Sequence, residues 1–172
     1  MRAFAFLATI VTCALASSPA VAAPPWKDVD AAGTSLQRSL LSELNAARAR
    51  AGLSSLRPAA ALDAAAASHA RSMLEEGFFA HASSNGEPSW VRISRFYAPT
   101  PAWRVGENLI WRRGRVKAGA VVRTWLESSA HRVNVLSPVW REVGVAAVAG
   151  QRAPGVYGRR TVTLVVVDFG TR

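Results

Sequence analysis

The β-branched runs of this chain come late. "REVGVAAVAG" (141–150) and "RRTVTLVVVDFG" (159–170) are strand-forming segments bounded by glycine, with a turn between them in "APG" or "YGRR". Most of what precedes them is helical in period. In "TSLQRSLLSELNAARARAGL" Thr34 or Ser35 caps a helix whose Leu36, Leu40, Leu41, Leu44, Ala47 and Ala51 recur at helical spacing, and Gly52 stops it. A second helix runs through "RPAAALDAAAASHARSMLEEG", with Pro58 in its first turn, Gly77 at its end, and Leu62, Ala66, His69 and Met73 on one face. Shorter helices fall in "EPSWVRISRF" and "SAHRVNVL". A longer one falls in "VKAGAVVRTWLES", with Ala118, Val121, Val122, Trp125 and Leu126 as its apolar face. "RVGENLIW" reads as a third strand. Helices first and strands clustered late predict an α+β fold, with helices packed on a small antiparallel sheet.

With 172 residues, half of them hydrophobic, the chain suffices for one domain with a substantial core. Lysine and arginine number 21 against 11 acidic residues, a formal charge of +10, and nearly all of the positive charge is arginine. Such a balance suits nucleic acid, but the first residues argue for export instead. "MRAFAFLATIVTCALASSPAVAAPPW" has one arginine, a short apolar run and then small residues, the layout of a secretory signal peptide. The expected division is a signal peptide at 1–22, cut after Ala22, a linker at 23–33 and one domain at 34–172. A secreted or periplasmic protein of this charge is expected to face lipid head groups or another anionic envelope ligand, with peripheral membrane contact and no nucleic-acid partner. "WRRGRVK" around Arg113 has two readings, a solvated loop or an interfacial contact beside Trp111. The only cysteine, Cys13, falls in the signal segment, so the mature chain is expected to rely on core packing without a disulfide.

The chain has three histidines. His69, inside a helix, reads as a core or boundary residue. His81 stands in "GFFAHASSNGEPSW", where an apolar stretch turns polar, and His131 lies just past a helix end. Glu107 sits between apolar residues in "VGENLI", and a carboxylate so placed needs a partner, for which histidine is suited. Glu127 precedes His131 by four residues, so an unbroken helix would put both on one face. Two imidazoles with one or two carboxylates suit zinc or a similar divalent ion, an acid–base pair or a buried polar lock, and spacing alone leaves all three open. There is no HExxH, nucleophile elbow or glycine-rich phosphate loop.

"LNAARARAGLSSL", "HARSML", "GFFAHASSNG", "VGENL", "TWLESSAHRVNVL" and "VGVA" follow one another in an order that resembles the CAP superfamily of cysteine-rich secretory proteins, antigen 5 and pathogenesis-related plant proteins. The bacterial SCP-like branch is the nearest match, over about Ser35 to Gly170. The resemblance implies a three-layer α-β-α sandwich. It also implies a central cavity lined by two histidines and two acids that in some members holds a divalent ion. Carried over by motif, the cavity residues are His81, Glu107 and His131, with His81 and His131 as the ligands where a divalent metal such as zinc is held. The second acid is implied three residues after the tryptophan. Ser128 occupies that position and Glu127 precedes it, which leaves a triad or a tetrad. Phe78 and Phe79 would anchor the preceding helix, and "SSNGEPSW" would carry the chain around the rim. The function implied is a secreted binding module for an envelope or lipid ligand, with or without a divalent metal. The alternatives are a metal-dependent, peptidase-like hydrolase and a structural or interaction domain.

Intact-mass measurement of exported protein should give a chain beginning at Ala23. Thermal melts of that product with and without a thiol reductant should coincide, because no cysteine follows Cys13. A product starting at Met1, or a reductant-dependent shift, would contradict the reading.

Overall fold

The computed structural model describes residues 30–98 and 100–172, with side chains from Thr34 onward. The expected signal peptide, and the expected linker up to residue 29, lie outside these residues. The first helix, α1 (Asp30–Arg50), takes in the last residues assigned to the linker. A glycine such as Gly33 costs a helix only about 1 kcal/mol, and the stripe of Leu40, Leu44 and Ala47, at most 4 % exposed, fixes the helix from within the core.

After α1 comes a two-residue strand, β1 (Arg57–Pro58), and then α2 (Ala60–Glu76). Pro58 was expected in the first helical turn and is found in β1, which runs parallel to β3 (Glu142–Ala153) and adds a parallel edge to the antiparallel sheet. Arg57 N donates to Arg141 O at 3.0 Å and Ala59 N to Val143 O at 2.9 Å. The residue between them is not needed as a donor, which suits a proline at a sheet edge. The short helix α3 (Ser89–Ser94), β2 (Arg104–Arg113), α4 (Ala118–Glu127) and α5 (Ser129–Val135) precede β3, and β4 (Arg160–Thr171) ends the chain. The sheet order is β1-β3-β4-β2, with β4 antiparallel to both β3 and β2.

Strand β4 is buried on both faces, which is why its sequence is a nearly continuous apolar run. Val165, Val167 and Phe169 pack with Leu40, Leu44, Val121 and Trp125 on the α1/α4 side. Val162, Leu164 and Val166 pack with Ala66, Ala70 and Met73 of α2 on the other. Two helical layers thus cover one sheet, the expected α-β-α sandwich. Gly144 sets how closely α2 approaches. A Cβ there would lie 2.0 Å from the Leu62 carbonyl carbon and 2.3 Å from Asp63 N. The Asp63 carboxylate accepts a hydrogen bond from Val145 N at 2.8 Å and ties the first turn of α2 to β3.

Replacing Gly144 with alanine should therefore force α2 off the sheet and destabilise the fold by at least ~3 kcal/mol. Chemical denaturation would measure this, and a loss below ~1 kcal/mol would show that the contact is not tight.

Candidate functional site

The segment carrying His81 leaves α2 at Gly77 and is held at three of its first four carbonyls. Val156 N donates to Gly77 O at 2.9 Å, Tyr157 Oη to Phe78 O at 2.7 Å, and His69 Nε2 to Ala80 O at 2.9 Å. His69 is 1 % exposed and packs edge-on against Phe78. Burial, and then the charge of Arg92, push its pKa down, so it works as a neutral donor that pins the loop. Of the phenylalanine pair only Phe78 serves as an anchor. Phe79 is 37 % exposed and turns outward to line a cleft, because alternate residues of an extended segment face opposite ways.

The pinned loop brings His81 to Glu107. His81 Nδ1 donates to Glu107 Oε1 at 2.8 Å, while Arg92 Nη2 donates to Glu107 Oε2 at 2.6 Å and reaches His81 O at 3.4 Å. The Glu107 side chain is 2 % exposed and that of His81 57 % exposed, so the imidazole faces solvent and the anion behind it does not. Burial pushes the Glu107 pKa up, but the His81 hydrogen bond and the Arg92 charge outweigh it and hold the carboxyl below its usual range. The same hydrogen bond raises the His81 pKa. Because Nδ1 carries the proton donated to Glu107, Nε2 is the nitrogen left to meet a ligand.

His131 comes to the site on α5, which the Asn108–Asn134 pair fastens to β2. Asn108 Nδ2 donates to His131 O at 3.0 Å, and Asn134 Nδ2 donates to Asn108 Oδ1 at 2.9 Å and Glu107 O at 3.1 Å. Gly106 makes room for this, since a Cβ there would lie 2.9 Å from the Trp140 ring and 3.0 Å from Asn134 Oδ1. In "GEN" the glycine thus permits close approach, the glutamate supplies the buried charge and the asparagine attaches α5. Extended backbone at Ser128, with ψ of 120°, separates α4 from α5. The unbroken helix that would align Glu127 with His131 is therefore absent. Glu127 stands exposed at the end of α4, with no hydrogen bond or ion pair among the described residues. Ser128 Oγ lies 2.8 Å from His131 Nδ1, so at the position of the implied second acid His131 has a neutral partner. Burial, and then the charge of His81, lower its pKa.

Among the described residues no three His, Cys, Asp or Glu side chains are grouped to hold a metal. Both Glu107 oxygens and His81 Nδ1 already have protein partners. Two imidazole Nε2 atoms are one donor short of the usual three protein ligands of a catalytic zinc, so the described side chains do not fit a resident zinc. Beside His131 a cleft of about 510 Å³ runs along β2, lined by Phe79, Leu109, Trp111, Trp125, Arg112 and Arg113. It adjoins a second hollow edged by Arg112, Arg113, Arg115 and Lys117.

Sequence reasoning missed Arg92, Asp168, Asn108 and Asn134. Asp168 could have been found by the argument that singled out Glu107, since it too is an acid inside an apolar run, "VVVDFG".

The opposite shifts of the imidazoles predict their titration order. In an NMR titration His81 should have its midpoint above the ordinary value of about 6.5, and His69 and His131 below it. The sign of the stability effect follows. The His81 contribution is complete below its unfolded pKa and lost as pH rises through its folded one. For His69 the unfolded chain binds the extra proton, so stability falls as pH drops below about 6.5. Glu107→Gln should lower the His81 midpoint by about one unit or more. A common midpoint for the three histidines would contradict the geometry.

No curated protein sequence matches this chain significantly. Among solved structures, an extracellular protein containing an SCP domain from Bacillus anthracis is 21 % identical, with a TM-score of 0.67 over 87 % of this chain and 45 % of its own. An outer surface protein of Borrelia burgdorferi is 21 % identical, with a TM-score of 0.63 over 78 % of this chain and 91 % of its own. A cysteine-rich secretory protein from Staphylococcus aureus is 14 % identical, with a TM-score of 0.60 over 81 % and 39 %. The chain thus spans less than half the length of the first and third of these, and the likeness is one of fold. The model of the cysteine-rich secretory protein family, CAP, matches residues 41–169, a span that holds His81, Glu107 and His131, and the chain belongs to that family.

Proposed function

We propose that this CAP-domain protein is exported and acts as a binding module for an anionic amphiphile of the cell envelope. The observation that carries the reading is the cleft along β2, where an aromatic and aliphatic floor runs into a row of cations. Phe79 and Trp111 offer apolar surface to a hydrocarbon chain above a base formed by the buried Leu109 and Trp125, and His131 stands at its border. Arg112, Arg113, Arg115 and Lys117, all exposed, offer charge to an anionic head. Cations beside an aromatic-lined concavity suit a ligand with both characters better than they suit a wholly polar polymer. Export is supported by the signal-like first residues and by the extracellular and outer-surface descriptions of two structural neighbours. Among the described residues no helix is long and apolar enough to cross a membrane, which accords with peripheral contact.

Tryptophan fluorescence should follow the addition of a medium-chain fatty acid, because Trp111 and Trp125 both line the cleft. The fatty acid should bind more tightly than the alcohol of equal length. Changing Arg112 and Arg113 together to alanine should weaken the acid by roughly tenfold or more and leave the alcohol unaffected, as expected for charge-assisted contacts worth ~1.5–3 kcal/mol. Equal binding of acid and alcohol, or no binding of either, would refute the proposal.

A further inference from the structure

Behind the Glu107–His81 pair lies a second buried acid. Asp168 is 0 % exposed. It lies on β4 directly opposite Glu107 of β2 and beside Gly144 of β3. No donor among the described residues reaches either of its carboxyl oxygens, and the residue paired with it across the ladder, with its side chain on the same face, is itself a carboxylate, Glu107. Two carboxyl groups can share a hydrogen bond only if one of them holds a proton. We propose that Asp168 keeps its proton at neutral pH and donates its O–H to the Glu107 carboxylate, as the positioning residue behind the Glu107–His81 pair.

The surroundings decide which of the two acids is the anion. Glu107 has two donors of its own, His81 Nδ1 and Arg92 Nη2. Asp168 has none. Among the described residues the charged groups that act on Asp168 are Glu107 from β2 and Arg92 from α3, while β3 presents a glycine beside it. His69 of α2 acts further out, on Arg92 and Glu107. One guanidinium can offset one carboxylate in so dry a place, and it is already bonded to Glu107. Burial, and then the Glu107 charge, accordingly drive the Asp168 pKa well above the ordinary carboxylate value. The result is a line of three groups, Asp168 O–H to Glu107 carboxylate to His81 N–H. Asp168 touches no ligand. It fixes the orientation of the carboxylate that fixes the tautomer of His81.

The direct test needs no variant. In carbon-13-labelled protein the Asp168 carboxyl carbon should stay in its protonated position from about pH 5 to 7, where an ordinary aspartate is ionised. A midpoint near 4 would overturn the proposal. The second test is Asp168→Asn, which keeps a donor toward Glu107 and removes no charge if the proposal is right. The His81 midpoint in D168N should then stay within about 0.3 unit of wild type, whereas a fall of about a unit would mean that an anion had been removed. Folding of the wild type takes up one proton at Asp168 across this range, which lowers the folding equilibrium up to roughly tenfold per pH unit as pH rises. In D168N that component of the slope should vanish, and an unchanged slope would count against a protonated Asp168.

Discussion

The carboxylate of Glu107 is a charge in a place where water cannot solvate it, and the arrangement around it follows from that. Its side chain is 2 % exposed, and it is satisfied by Arg92 from α3 and His81 from the loop after α2. Two separate segments, the loop carrying His81 and the helix carrying Arg92, therefore converge on one residue of β2. Removing Arg92 would leave the charge uncompensated, which in buried pairs costs about 3–5 kcal/mol. The loop needs its own support to meet this demand, and His69 and Tyr157 provide it by holding the Ala80 and Phe78 carbonyls. A histidine of the core thus determines where a histidine of the surface stands.

The two outward histidines are chemically unlike although both border the site. His81 has an anion behind it and is pushed toward the charged form. His131 has a serine behind it and is pushed toward the neutral form by burial and by His81. Near neutrality the site thus pairs an imidazole that tends to hold a proton with one that tends to lack it. That asymmetry suits recognition of an anionic group by His81 while His131 remains an uncharged border of the apolar cleft.

Much of this was legible in the sequence, for identifiable reasons. The α+β character followed from helical period before Val135 and β-branched runs after Glu142, both of which are local signals, whereas the three-layer sandwich came only with the family resemblance. Glu107 announced itself because a lone acid between apolar residues demands a partner. Arg92 did not, since "WVRIS" reads equally well as a surface helix, and its burial is created by a carboxylate on another element. Pro58 pointed to a helix start because proline suits that position, but pairing with β3 decided otherwise. Glu127 depended on whether one helix or two ran through Ser128, a matter of a single backbone torsion that spacing cannot fix. Asn134 was hidden for another reason, because its role exists only across α5 and β2.

Strand β2 lies at the edge of the sheet, where unpaired backbone groups invite another strand. The Glu107 and Leu109 carbonyls are covered by Asn134 Nδ2 at 3.1 Å and Trp125 Nε1 at 3.3 Å. Beyond Leu109 the cover ends, and the exposed side chains of Arg112 and Arg113 take over. Cations on an open edge repel a second copy of the same strand, so the basic stretch protects the sheet. Placed beside an aromatic floor, the same cations attract an anion. Both roles follow from one placement, but they draw on salt-sensitive charge, whereas the apolar floor does not. An amphiphile in the cleft would therefore lose its preference for the anionic head at high ionic strength before it lost its hold on the hydrocarbon.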